Sequence, residues 1–218
     1  MNKDIPSNAK PYSIDIKSMY SNIIIEEGLE AFEEALEKRC NKRKKALPTS
    51  FLIELLGFVL KSNVFEFNEE YWLQIIGTSM GTRVAPTFAN IFMDKLERKM
   101  LDSCPKNLRD LIFTWKRYVD DVLIIFTGSH SQFNDLMNHI NSVHEIIKFD
   151  APNHNEEENS CVFLDMTIKI KENNLECINC VDSLKKHVIE AHSFTNNTKH
   201  NNGIHLKEKS IECKNCSF

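Results

Sequence analysis

Asp15, Asp120 and Asp121 are the residues of this chain whose types and setting could do chemistry. Asp15 follows the apolar run that starts at Tyr12, and Asp120-Asp121 separate the apolar segments 113–118 and 122–126. Carboxylates gathered at the ends of apolar strands repel one another, and divalent cations are the natural compensation. Mg²⁺ takes a few carboxylates together with substrate phosphates and water, and two such ions about 4 Å apart support in-line phosphoryl displacement. The plainer reading of Asp120-Asp121 is a hairpin turn and nothing more. Two further groups stand out. The C-x-x-C pairs Cys177/Cys180 and Cys213/Cys216, with His187 and His192, either hold a tetrahedral Zn²⁺ or are free thiols and imidazoles in a reducing compartment. Lys38, Arg39, Lys42, Arg43, Lys44 and Lys45 crowd into one short run, which reads either as a solvated helix end or as a phosphate-contacting patch.

The elements that must position these groups follow from periodicity. Residues 12–16 read as a short strand with an acid at its end, and 26–40 as an amphipathic helix carrying Leu29, Phe32 and Leu36 on one stripe. Residues 51–61 are apolar on nearly every side and are expected to form a buried helix. Residues 64–75 read as an aromatic hairpin turning at 68–70. Gly77 and Gly81 bracket a loop, and Pro86 stands at the N1 position of a helix running to about Leu101. The segments around Asp120-Asp121 form a hairpin with both carboxylates at its tip. A helix over 129–144, a short strand at 146–149 and a long strand over 161–170, turning at Asn173-Asn174, complete the order. The class is α+β, an antiparallel sheet with helices on one face.

Composition bounds the rest. At 218 residues, with 42% apolar and 27% charged side chains, the chain is globular and not wholly disordered. Its net charge of −4 gives no general support for nucleic-acid binding, so such a claim rests on specific residues. The longest nearly apolar run, 51–60, is far short of a membrane-spanning helix, and the N-terminus has no apolar signal region. A soluble intracellular protein without a membrane partner is expected, with Cys40, Cys104 and Cys161 as buried thiols; the oligomeric state is open.

Four runs add a resemblance. Asp15-Ile16-Lys17-Ser18-Met19-Tyr20-Ser21-Asn22-Ile23 resembles motif A of reverse transcriptases, and residues 77–90, opening Gly77-Thr78-Ser79-Met80-Gly81, resemble motif B. Trp115-Lys116-Arg117-Tyr118-Val119-Asp120-Asp121 resembles their Y/F-x-D-D signature, and Phe163-Leu164-Asp165 the primer-gripping hairpin. The wording is most similar to Penelope-like retroelements, relatives of the telomerase catalytic subunit, over roughly 10–170. The resemblance implies a reverse-transcriptase palm, an RNA-directed DNA polymerase using two Mg²⁺ or Mn²⁺ ions. RNA template, DNA primer and deoxynucleoside triphosphates would be its partners, and the nucleus its place of action. It implies Asp15 and Asp120 as metal ligands, Asp121 as a supporting and occasional ligand, and the Ile16 carbonyl as a further one. It implies Tyr20 beneath the incoming sugar, Gly77, Met80 and Gly81 close to the nascent base pair, and Lys148 as proton donor. Arg83, Lys42, Arg43, Lys44 and Lys45 are the candidate nucleic-acid contacts.

The expected division is a palm-like domain over 1–175 and a Cys/His-rich tail over 176–218. Fingers and thumb regions are largely missing from the pattern, and the irregular tail resembles a degenerate Cys₂His₂ zinc finger, with Cys177, Cys180, His187 and His192 as ligands or four cysteines instead. Two rival classes follow. One is a catalytically inactive retroelement remnant acting through zinc-dependent nucleic-acid contact by the tail, and the other a DNA-directed nucleotidyltransferase palm.

Overall fold

Every residue of 122–126 is buried, which is the mark of a strand covered on both faces. The computed structural model describes residues 5–40 and 47–178. Their elements run β1 (Lys10–Asp15), α1 (Met19–Asn22), α2 (Ile25–Cys40), α3 (Thr49–Lys61), β2 (Val64–Phe67), β3 (Glu70–Leu73), α4 (Ala85–Ser103), α5 (Lys106–Arg109), β4 (Ile112–Tyr118), β5 (Asp121–Phe126), α6 (His130–Val143), β6 (Ser160–Phe163), β7 (Met166–Lys171) and β8 (Asn174–Ile178). The class is α+β with antiparallel pairing throughout these strands, as expected from the pattern. Among the described residues no helix is long and apolar enough to cross a membrane.

The chain divides into two units. The first draws on described residues 5–16, 104–138 and 149–178. Its central sheet has the order β1-β5-β4, and a second sheet the order β6-β7-β8. Alternate residues of β5 serve two cores. Leu123 and Ile125 join a cluster with Phe163, Met166, Ile168, Ile170 and Leu175, while Ile124 and Phe126 are buried with the even positions. Tyr12 stacks on Phe133 at 3.7 Å between ring centres, and Phe126 meets the same ring edge-on. The start of α6 is a reciprocal cap: Gln132 N–H donates to Ser129 Oγ at 3.2 Å, and Ser129 N–H to Gln132 Oε1 at 2.9 Å.

The second unit comprises residues 17–103 and 139–148. Gly28 of α2 lies on the ring of Phe88 in α4, so closely that no Cβ would fit. Ion pairs of Lys95 with Glu30 and Glu34, and of Arg98 with Glu34, run between the same two helices. His144 is nearly buried; its Nδ1 accepts the N–H groups of Ile146 and Ile147 at 3.1 and 3.0 Å, and its Nε2 lies 2.8 Å from Glu27 Oε2.

Four expectations are corrected. Helix α3 is not buried all round: Leu56, Gly57 and Leu60 are covered, whereas Phe51, Leu55 and Phe58 are exposed. Residues 146–149 form no strand, only a single bridge from Phe149 to Ile16. The strand expected over 161–170 is two, because Leu164 takes a positive φ of 53° and turns the chain between Phe163 and Met166. The following turn centres on Glu172-Asn173, both left-handed, one residue earlier than expected.

Candidate active site

Antiparallel register brings together what lies about a hundred residues apart. The Asp15 end of β1 faces Asp121, the first residue of β5, and Tyr118 at the end of β4 faces Asp121 from the other side. Only Val119 and Asp120 lie between β4 and β5, so Asp120 alone holds the tip while Asp121 belongs to the strand. A two-residue hairpin favours a left-handed first position, normally glycine. Here Val119 takes it at φ 55°, a strained choice for a β-branched residue, and Arg117 Nη1 donates to its carbonyl at 2.8 Å. The backbone beside Asp15 is held from two directions. Ile16 N–H donates to the Asp120 carbonyl at 3.1 Å, and Asp150 N–H to the Asp15 carbonyl at 2.8 Å.

Electrostatics at this tip run one way. Burial, then the Asp120 charge, raises the Asp15 carboxyl above its ordinary value; Asp150 adds to this, and the Ile16 hydrogen bond partly offsets it. Asp121 is pushed up to about 6, first by burial and then by Asp120, Asp15 and Asp165. Asp150 and Asp165 were not among the residues singled out for the site. Asp165 sits in the two-residue turn between β6 and β7, after left-handed Leu164, and so repeats the aromatic–aliphatic–Asp order of Tyr118-Val119-Asp120. That repetition is a signal the sequence carries. For Asp150 no local signal exists, because it meets Asp15 only through the fold.

Among the described residues no three His, Cys, Asp or Glu side chains form a ligand set sufficient by itself. The donors fit Mg²⁺ or Mn²⁺ nonetheless, since these ions are held by one or two carboxylates plus substrate phosphates and water. Clustered hard oxygen donors that resist ionising together suit an added cation.

The remaining candidates lie in the second unit or outside the described residues, except Cys177 and Ile16, the latter buried at the end of β1. Tyr20 is half-buried in α1, and its carbonyl accepts Thr78 N–H at 2.7 Å. Gly77 has a φ of 79°, and a Cβ there would fall 2.6 Å from the Tyr20 carbonyl. This glycine therefore serves the docking of its own loop onto α1. Gly81, at φ 98°, has open space where a Cβ would stand, and Met80 and Arg83 are exposed.

The Lys148 ammonium donates to the carbonyls of Asn141 and His144, closing the C-terminal turn of α6. Cys177 lies in β8 facing Ile168, buried in the apolar cluster. Cys180, His187, His192, Cys213, Cys216 and Lys42, Arg43, Lys44 and Lys45 lie outside the described residues.

The family model described as reverse transcriptase (RNA-dependent DNA polymerase) matches residues 2–157. No curated protein sequence matches. Of solved structures, telomerase from Candida albicans in complex with a fragment of telomeric RNA is similar with a TM-score of 0.61 at 13% identity, over 94% of this chain and 37% of that one. Apo telomerase from Candida tropicalis, truncated from its C-terminal domain, gives 0.57 at 13% identity, over 78% of this chain and 35% of that one. The chain thus spans little more than a third of the length of either.

Proposed function

We propose, on the premise that this chain belongs to the reverse transcriptase (RNA-dependent DNA polymerase) family, that it is the palm of an RNA-directed DNA polymerase of a Penelope-like retroelement. The observation that carries this reading is the facing of Asp15 and Asp121 across β1 and β5, with Asp120 on the adjoining tip. With it go an RNA template, a DNA primer, deoxynucleoside triphosphates and a nuclear place of action.

In this reading Asp15 and Asp120 hold the metal, with Asp121 in support. Two bound Mg²⁺ or Mn²⁺ ions would supply activation of the primer 3′-hydroxyl and neutralisation of phosphate charge. The protein's own part is positional. Ladder hydrogen bonds between β1 and β5 fix the spacing of the carboxylate-bearing backbones, and the Ile16–Asp120 bond ties the tip to the strand end. Burial and neighbouring carboxylates raise the Asp15 and Asp121 carboxyls, so positive charge arriving at the tip would favour their ionised forms. Tyr20 is assigned to the sugar of the incoming nucleotide, Met80 and Gly81 to the base pair, and Arg83 with the basic run 42–45 to phosphates.

Primer extension on poly(rA)/oligo(dT) with Mg²⁺ or Mn²⁺ tests the proposal. Incorporation is expected, reduced about a thousandfold or more in Asp120→Asn. A preference for poly(rA) over poly(dA) separates RNA-directed from DNA-directed synthesis. Folded, monodisperse protein that incorporates nothing would overturn polymerase activity for this chain by itself.

A further inference from the structure

Among the described residues the hairpin β2–β3 is a two-stranded sheet on its own, and all eight of its residues are exposed. Such a ribbon is at best marginally stable in water. Both faces are mainly apolar, with Glu70 on one and Glu66 on the other. The pairing Phe65↔Trp72 and Phe67↔Glu70 puts Phe65, Phe67 and Trp72 on one side, and Val64↔Leu73 and Glu66↔Tyr71 puts Val64, Tyr71 and Leu73 on the other. Phe67, Tyr71 and Trp72 are 69%, 77% and 49% exposed. With Phe65, at 49%, four aromatics of the hairpin stand open. Leu73, Ile75 and Ile76 are also exposed.

The edges are as open as the faces. Asn68 and Glu69 are both left-handed, a two-residue turn that makes Phe67/Glu70 a hydrogen-bonded pair, and the Gln74 N–H to Asn63 carbonyl bond at 2.9 Å continues the same alternation. Backbone groups of Tyr71 and Leu73 therefore point outward from β3, and those of Val64 and Glu66 outward from β2. No Lys or Pro guards either strand. Residues 62–82 contain three glutamates and no Lys or Arg, which disfavours a nucleic-acid phosphate backbone as the covering partner.

We propose that β3 pairs with β3 of a second copy of this chain, antiparallel about a two-fold axis through Trp72, giving a four-stranded sheet. The outward groups allow this register: Tyr71 meets Leu73 of the second copy, Glu70 meets Gln74, and the two Trp72 side chains face each other. No like charges are opposed. Pairing through β2 is poorer, because it sets Glu66 against itself or against an apolar residue. The interface is isologous, so it closes at two chains. It does not depend on the polymerase reading.

Light scattering on the full chain, from about 1 to about 100 µM, tests this. Wild type is expected at twice the 25.3 kDa chain mass. Trp72→Lys and Trp72→Glu, each with unchanged circular dichroism, are expected at the single-chain mass, because each sets like charges on the axis. Mixed in equal amounts they are expected to form the dimer again. Wild type that stays single at the highest concentration overturns the proposal. So does a dimer that persists in both variants, or a mixture that remains single.

Discussion

Asp121 is the side chain whose surroundings make the most definite demand. Burial and three neighbouring carboxylates push it up to about 6, so the folded chain binds this proton more tightly than the unfolded one. A raised carboxyl contributes stability that is present below its unfolded value and lost as pH rises through its folded value. In metal-free buffer Asp121→Asn should match wild type near about pH 4 and exceed it near about pH 7.5, by on the order of 1–2 kcal/mol after solvent screening. Thermal unfolding across that range checks this, and parallel pH profiles for the two proteins would place the cost elsewhere. Asp15, Asp120 and Asp121 were visible in the chain because their neighbours form a recognisable wording. Asp150 was not, since only the bond from its N–H to the Asp15 carbonyl marks it, and that bond spans 135 positions.

At the scale of elements, two-residue turns and helix ends decide the geometry. Val119 and Leu164 both take left-handed conformations that their side chains disfavour, and each is followed by an aspartate at a strand tip. Lys148 closes the end of α6 by donating to the carbonyls of Asn141 and His144. Lys148→Met should therefore lower stability by about 1–2 kcal/mol, the worth of charge-assisted bonds to helix carbonyls, and leave the pH dependence of nucleotide incorporation unshifted. A shift in that profile would support the proton-donor role instead. Most elements were legible from periodicity, among them α2, the β2–β3 hairpin, β4, β5 and α6. The helix α3 was misjudged because a segment apolar all round gives no stripe from which a buried side can be told. The long strand through 161–170 was misjudged because Leu164 and Asp165 carry no glycine, asparagine or proline to announce a turn.

For the whole molecule, net charge opposes what the proposed function requires. On that proposal a chain at −4 would draw any affinity for template and primer from local cations, of which the run Lys42, Arg43, Lys44 and Lys45 is the densest. Replacing these four with Gln should weaken template–primer binding at low salt and reduce the slope of log affinity against log salt by about 3. Fluorescence anisotropy over a salt series measures it, and an unchanged slope would mean the run is only solvated. The sequence by itself determined the family, the α+β class and the identity of the catalytic candidates, because short-range wording and hydrophobic period survive in one dimension. Only the tertiary structure decided which acids share a field, which apolar surfaces stay open, and that Lys148 and Cys177 are already engaged in holding the fold. Those outcomes depend on register and on neighbours far away along the chain, where a single hydrogen bond or a covered face settles a side chain's role and no local pattern records it.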